Sequence, residues 1–303
     1  MTITAGNGQH TYELIQDWAK LPDSETFGIV STVATDSEDR VYVLQRKDPP
    51  VMVFDSNGNF LNSWGNGNIN SPHGMTITND IVYITDRDDS VAISYTLDGR
   101  PVQVYGQRGR HSDTGAKNPG DLVPSAAGPF NYPTEMAPGP NGDIYVSDGY
   151  RNARVHRFSP DGDLINSWGE PGNGGHGQFH LPHSLLIDPD GKVYVCDRAN
   201  RRVQIFTAGG EFITMWTGMG GPNDIARDSN GVFYLCEQAA DDDGPVVTIR
   251  DGDGSVMARW EIRHAHGLWV DSTGDIYLGL TTDHSVDKWV RKGKSSRYGL
   301  SHR

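Results

Sequence analysis

The chain has 303 residues, 37 of them glycine and 17 proline, with two cysteines and a formal net charge of −13 at pH 7. Glycine and proline at that density suit a chain of many turns, and the length suits one domain rather than two of the architecture developed below. The acidic balance argues against nonspecific binding to nucleic acid or anionic membrane, which needs clustered Lys and Arg, and no apolar run approaches membrane-spanning length.

The first ten residues, MTITAGNGQH, carry neither a basic segment nor an apolar core of signal-peptide length, so a cytoplasmic protein is expected. After a short alternating stretch, TYELIQDW (11–18), a repeat begins. VATDSEDRVYVLQR, GMTITNDIVYITDR, EMAPGPNGDIYVSDGY, SLLIDPDGKVYVCDR, DIARDSNGVFYLCE and GLWVDSTGDIYLGL align on an apolar-aromatic pair that follows a polar turn. Between them recur VMVFDSNGNFLNSWG, VAISYTLDGRPVQVYG, VHRFSPDGDLINSWG, VQIFTAGGEFITMW and VTIRDGDGSVMARW. Each unit holds four short stretches with an apolar period of two, separated by Asp-Gly, Asn-Gly or Gly-Gly turns. Four hairpin-linked strands at a spacing of roughly 40 residues are one propeller blade. The expectation is an all-β chain, 1–303, folded as a single six-bladed β-propeller, with blades at about 30–65, 72–106, 132–169, 181–216, 221–260 and 265–293. The last unit supplies only three strands, and residues 11–18 are predicted to complete it and close the ring, which limits exposed sheet edges.

Taken in chain order, the start of each innermost strand carries Ser31, His73, Thr134, His183, Asn223 and His266. Histidine occupies every second blade, so a closed ring aims three imidazoles at one axis. Three neutral imidazoles with a position left open make a catalytic rather than a closed structural zinc site, although such ligands also accept other divalent transition metals. In a propeller the first strand starts on the face where the second ends. Arg46 (VLQRKD), Arg87 (TDRDD), Tyr150 (SDGYRNARV) and Arg198 (CDRANRRV) therefore share the histidines' face. Arg87 is read as structural, because Asp-Arg followed by Asp or Asn is common at this turn. Arg46 lacks the preceding Asp and Tyr150 follows Gly149, so both are assigned to the site. A metal and nearby arginines favour a phenolate, which makes Tyr150 a candidate general base. His180 and His264 lie close in sequence to His183 and His266; alternation puts His264 on the side of His266, which leaves a fourth-ligand or outer role open, and a surface role is the favoured reading. Cys196 and Cys236 fall on second strands of adjacent blades, in separate sheets packed about 10 Å apart, and no disulfide is expected between them.

The repeat VYVCDRANRRVQIF resembles an NHL repeat, and the site within it is similar to that of peptidyl-α-hydroxyglycine α-amidating lyase, most specifically over FHLPHSLLIDPDGKVYVCDR and PTEMAPGPNGDIYVSDGYRNARVHRFSPDG. The resemblance implies that His73, His183 and His266 bind catalytic zinc, that Tyr150 is the base, and that Arg46 and Arg198 are the cavity arginines. It also implies an aspartate directly after the third histidine as ligand to an axial calcium. That position is Gly267, which counts against the calcium.

The implied reaction is zinc-dependent cleavage of the C–N bond of a carbinolamide, the substrate being a small molecule or peptide-derived, with no nucleic-acid or membrane partner. A zinc-dependent hydrolase on the same ligands is the first alternative. A non-catalytic NHL-type binding propeller is the second. Two insertions are expected to shape the pocket: residues 107–131 between blades 2 and 3, and the acidic turn QAADDDGPV in blade 5. The basic tail VRKGKSSRYGLSHR is read as a disordered end.

Overall fold

A computed structural model describes residues 2–23, 25–239 and 244–292; residues 240–243 of the acidic blade 5 turn and most of the basic tail lie outside the described residues. The fold is a six-bladed β-propeller. Blade 1 runs Val30–Thr35, Val41–Gln45, Val51–Phe54 and Phe60–Trp64, and blades 2 to 5 repeat the same antiparallel four-strand order from the axis outward. Blade 6 is a 5-stranded sheet in which Gly267–Val270, Ile276–Leu280 and Ser285–Arg291 are continued by the N-terminal strands His10–Ile15 and Thr4–Asn7. Tyr12 pairs with Arg291 and Leu14 with Trp289, so the ring closes through the amino-terminal segment, with one more outer strand than expected.

A tryptophan near the end of the fourth strand in blades 1, 3, 4 and 5 explains how those blades hold to their neighbours. Trp64, Trp168 and Trp216 lie against Gly99, Gly210 and Gly254, the turn glycines of the following blade. These glycines have φ of +83, +90 and +86, and a Cβ on any of them would strike the indole. In blade 5 the corresponding Trp260 stacks instead on Tyr12 of the closing strand, with ring centroids 5.3 Å apart. Removing one such indole should cost about 3–5 kcal/mol.

The innermost strands of blades 1 to 5 share an irregularity that positions the site. Pairing with the second strand shifts register between Val30 and Thr32, Pro72 and Met75, Pro133 and Glu135, Pro182 and Ser184, and Pro222 and Asp224. Inside these shifts lie Ser31, His73 with Gly74, Thr134, His183 and Asn223. A bulge of this kind leaves one residue out of the ladder and re-aims its side chain. Here the residue freed is the one that reaches the axis. The cysteines are both buried and free.

Candidate metal centre

His73, His183 and His266 meet on the axis with ligand nitrogens all within 4.8 Å of one another. Their ring centroids are 4.8, 4.6 and 4.7 Å apart and their planes inclined by 74°, 74° and 73°, a nearly three-fold arrangement. The odd blades hold it. His73 Nδ1 donates to the carbonyl of Thr134 at 2.7 Å, His183 Nδ1 to that of Asn223 at 2.7 Å, and His266 Nδ1 to that of Ser31 at 2.8 Å. In return the Ser31 hydroxyl donates to the Pro72 carbonyl, the Thr134 hydroxyl to Pro182, and the Asn223 amide to Ala265, each the residue just before a histidine. Even and odd blades thus alternate around one hydrogen-bonded ring.

This ring fixes the chemistry of the imidazoles. A carbonyl only accepts, so each Nδ1 carries the proton and each Nε2 points inward with a free lone pair. Burial drives all three basicities down. His73 and His183 lie well below the usual imidazole range, and His266 falls to about 3, with Arg46 and Arg198 adding to the effect of burial there. Neutral imidazoles are the form that ligates metal. His266 Nε2 is buried with no hydrogen-bond partner, an open acceptor that a divalent ion would satisfy. The residues present therefore fit a three-imidazole metal centre.

Tyr150 completes the face. Its hydroxyl stands 3.3 Å from Nε2 of His73 and 3.2 Å from Nε2 of His183, and a single hydroxyl proton can serve only one of them at a time. The turn that presents it needs Gly149, since a Cβ there would run into the backbone of Pro182, next to His183. Arg198 lies with its guanidinium carbon 5.5 Å from the Tyr150 ring centroid and its terminal nitrogen 3.5 Å from the side-chain oxygen of Asn223. Arg46 donates from Nε to the Ser31 hydroxyl and the Pro72 carbonyl, and burial lowers its basicity, with the Arg87 charge the next cause. A cavity of about 430 Å³ opens beside Arg46 and Pro72.

The structure also places three further positions that the sequence singled out. Arg87 does pair with Asp88, at 2.7 Å, but its guanidinium also lies 5.5 Å from the Tyr150 ring, on the site itself. Its signal was the Asp-Arg turn it shares with Arg198. His180 is drawn away from the centre: its Nε2 donates to the Gly120 carbonyl, within the 107–131 insertion, and Gly120 N–H in turn bonds the Tyr150 carbonyl. His264 is outside the metal-ligating group, although its charge depresses His266. Among the described residues, the three histidines are the only such group of three or more metal-ligating side chains.

One layer below the imidazoles lie Glu135 and Asp224, each directly after an odd-blade ring residue. Burial raises both, Glu135 well above the carboxylate range and Asp224 to about 6. Asp224 accepts from the Ser184 hydroxyl and from the Leu268 and Ile225 amides, and Glu135 from Thr76 and the Met136 amide. Gly267, in the same layer, offers no side-chain donor and packs against Thr32.

Fold and site together define a class: a β-propeller with an imidazole centre on its axis and a tyrosine over it. A family model for the NHL repeat matches residues 179–206. NHL repeat-containing protein 3 of Homo sapiens is 31% identical over 309 residues, covering 92% of this chain and 84% of that protein. The chain belongs to this NHL-repeat family. Peptidyl-glycine alpha-amidating monooxygenase B of Xenopus laevis is 35% identical over 84% of this chain, which spans only 31% of that longer protein. Peptidyl-alpha-hydroxyglycine alpha-amidating lyase 1 of Drosophila melanogaster is 31% identical over 47% of this chain and 26% of its own length. Among the described residues no helix is long and apolar enough to cross a membrane.

Proposed function

We propose that the protein is a zinc-dependent lyase that cleaves the C–N bond of a carbinolamide or a related hydroxylated small molecule. The observation that carries this reading is the Tyr150 hydroxyl, held within 3.3 Å of two inward-facing Nε2 atoms. His73, His183 and His266 would hold the ion, which supplies Lewis acidity to the substrate hydroxyl. Tyr150 is the general base that takes the hydroxyl proton. Arg87 and Arg198 each place a guanidinium carbon 5.5 Å from the centroid of its ring. Arg46 and Arg198 bind the substrate carboxylate and orient the carbon that bears the hydroxyl. Collapse of the alkoxide then breaks the C–N bond, the departing amide nitrogen takes back the proton held by Tyr150, and an aldehyde is left. The relatives named for amidation support the reaction class, and the two free, buried thiols support a cytoplasmic setting.

The test uses an N-acyl-α-hydroxyglycine as probe, with glyoxylate release as readout. Tyr150→Phe should keep its metal and lose about 10²- to 10⁴-fold in turnover. Unchanged turnover would remove Tyr150 from the base role, and wild-type protein that neither contains nor binds zinc would end the lyase reading. Release of the acyl group as a carboxylic acid carrying oxygen from labelled water, in place of the amide, would transfer the site to a hydrolase.

A further inference from the structure

Residues 107–131 contain no strand or helix, yet they supply partners for the turn that carries Tyr150. The Gly120 amide donates to the Tyr150 carbonyl at 2.7 Å, and the Thr114 hydroxyl to the Arg151 carbonyl at 2.6 Å. The Asn152 side chain accepts from the Ala127 amide and donates to the Ala127 carbonyl. Long segments without regular structure are uncommon in compact domains, and ordered ones tend to be functional.

His180 enters this arrangement from the start of blade 4. Its Nε2 donates to the Gly120 carbonyl at 3.1 Å, so Gly120 is held by His180 and itself holds Tyr150. The His180 backbone makes a second tie. Its amide donates to Oδ1 of Asp197 at 2.8 Å, and its carbonyl accepts from the Ala199 amide at 3.1 Å. The Arg198 amide bonds the Leu181 carbonyl, so the Arg198 turn is built on residues 180 and 181. His180 therefore reaches Arg198 through its backbone and Tyr150 through its side chain. The Tyr150 turn needs such support, because its amide meets the Tyr132 carbonyl only at 3.3 Å and it follows a glycine. Its hydroxyl must still stand 3.3 and 3.2 Å from Nε2 of His73 and His183. A misplacement of about 1 Å at reacting groups costs about 100-fold in rate.

Resting on the lyase reading above, we propose that His180 is a positioning residue: its imidazole, acting through Gly120, sets where the Tyr150 hydroxyl stands above the imidazole centre. It touches neither substrate nor metal. The 107–131 insertion then belongs to the working face of the propeller. Because the two ties are separate, His180→Ala cuts the link to Tyr150 and keeps the backbone bonds that support Arg198.

His180→Ala and His180→Gln are assayed on an N-acyl-α-hydroxyglycine, with zinc content measured on the same preparations. His180→Ala should keep the zinc content of wild type, leave KM within about twofold and lower kcat by about 10-fold. His180→Gln, whose amide nitrogen donates to the Gly120 carbonyl in place of the imidazole, should recover part of the loss. In a Tyr150→Phe background, His180→Ala should lower kcat by less than about twofold, because the group it positions is gone. Unchanged kcat, a loss that His180→Gln does not relieve, loss of zinc, or an undiminished loss in the Tyr150→Phe background would each overturn the inference. Amide hydrogen exchange makes the two readings fail separately. His180→Ala should speed exchange at Gly120 by at least about 10-fold while the buried Ile225 and Leu268 amides keep their rates. Faster exchange in a protein that releases no glyoxylate sinks only the lyase, whereas unchanged exchange beside full turnover sinks only the positioning role.

Discussion

The two layers that cross the propeller axis are both buried, and burial pushes both towards the uncharged state from opposite directions. In the upper layer it lowers three imidazoles, and in the lower it raises Glu135 and Asp224. What separates them is the hydrogen bonding. Every outward ring nitrogen above is tied to a backbone carbonyl, so all remaining capacity points inward and converges. Below, Asp224 uses both carboxyl oxygens on hydroxyl and amide donors from several blades, and nothing converges with comparable symmetry. A metal-binding geometry therefore arises from how the back of each ligand is held, and not from placing titratable groups on an axis.

The comparison breaks most readily in the upper layer. His183→Ala removes one ligand and leaves the Asn223 carbonyl without its donor; bound metal should fall from about one equivalent to a trace when a third of the ligand set is lost. Elemental analysis of purified protein reads this directly, and an unchanged metal content would place the ion elsewhere. A smaller effect is expected at the alternate blades. Thr134→Val keeps the shape and the carbonyl that orients His73 but deletes the hydroxyl bond to the Pro182 carbonyl, 2.8 Å long, that seats His183. Metal affinity should drop by about 10-fold, the low end for outer partners of a ligand, with a loss of about 1–3 kcal/mol in stability. Equal affinity in competition with a chelator would show that the odd blades merely fill space.

The periodicity of the repeats was sufficient to predict the ring and its N-terminal closure, because strand alternation and turn residues are local properties. The three histidines were legible for the same reason: they recur at one point of the repeat. Ser31, Thr134 and Asn223 were visible only as the residues that are not histidine. Their role depends on bonds to the next blade, between residues 41 to 48 positions apart in sequence, and no local pattern encodes that. Arg87 was hidden differently. Its pairing with Asp88 is local and was expected, while its place over Tyr150 depends on how blades 2 and 3 pack. Glu135 and Asp224 went unnoticed because one acidic residue per strand carries no period, and their importance comes from complete burial.

The lower layer gives the smallest predicted effect and the one with a distinctive sign. A carboxyl raised in the folded state contributes stability that is fully present below its unfolded pKa and is lost as pH rises through the folded value. For Asp224 that window runs from the ordinary carboxylate range up to about 6, and Glu135 carries it higher. The depressed imidazoles act oppositely: their contribution is present above an unfolded pKa of about 6.5 and is lost as pH falls. After chelation of bound metal, thermal stability should therefore decline on the alkaline side because of the acids and on the acid side because of the histidines. Glu135→Gln isolates the first arm. A glutamine Oε1 keeps the bonds from Thr76 and the Met136 amide that Glu135 Oε1 now accepts, while removing the ionisable group. The variant should melt at a higher temperature than wild type near pH 8 and close to it near pH 4.5, so that its melting temperature varies less across that range. A difference of the same size at both pH values would show that Glu135 is held ionised in the fold, and the lower layer would then be a charged one.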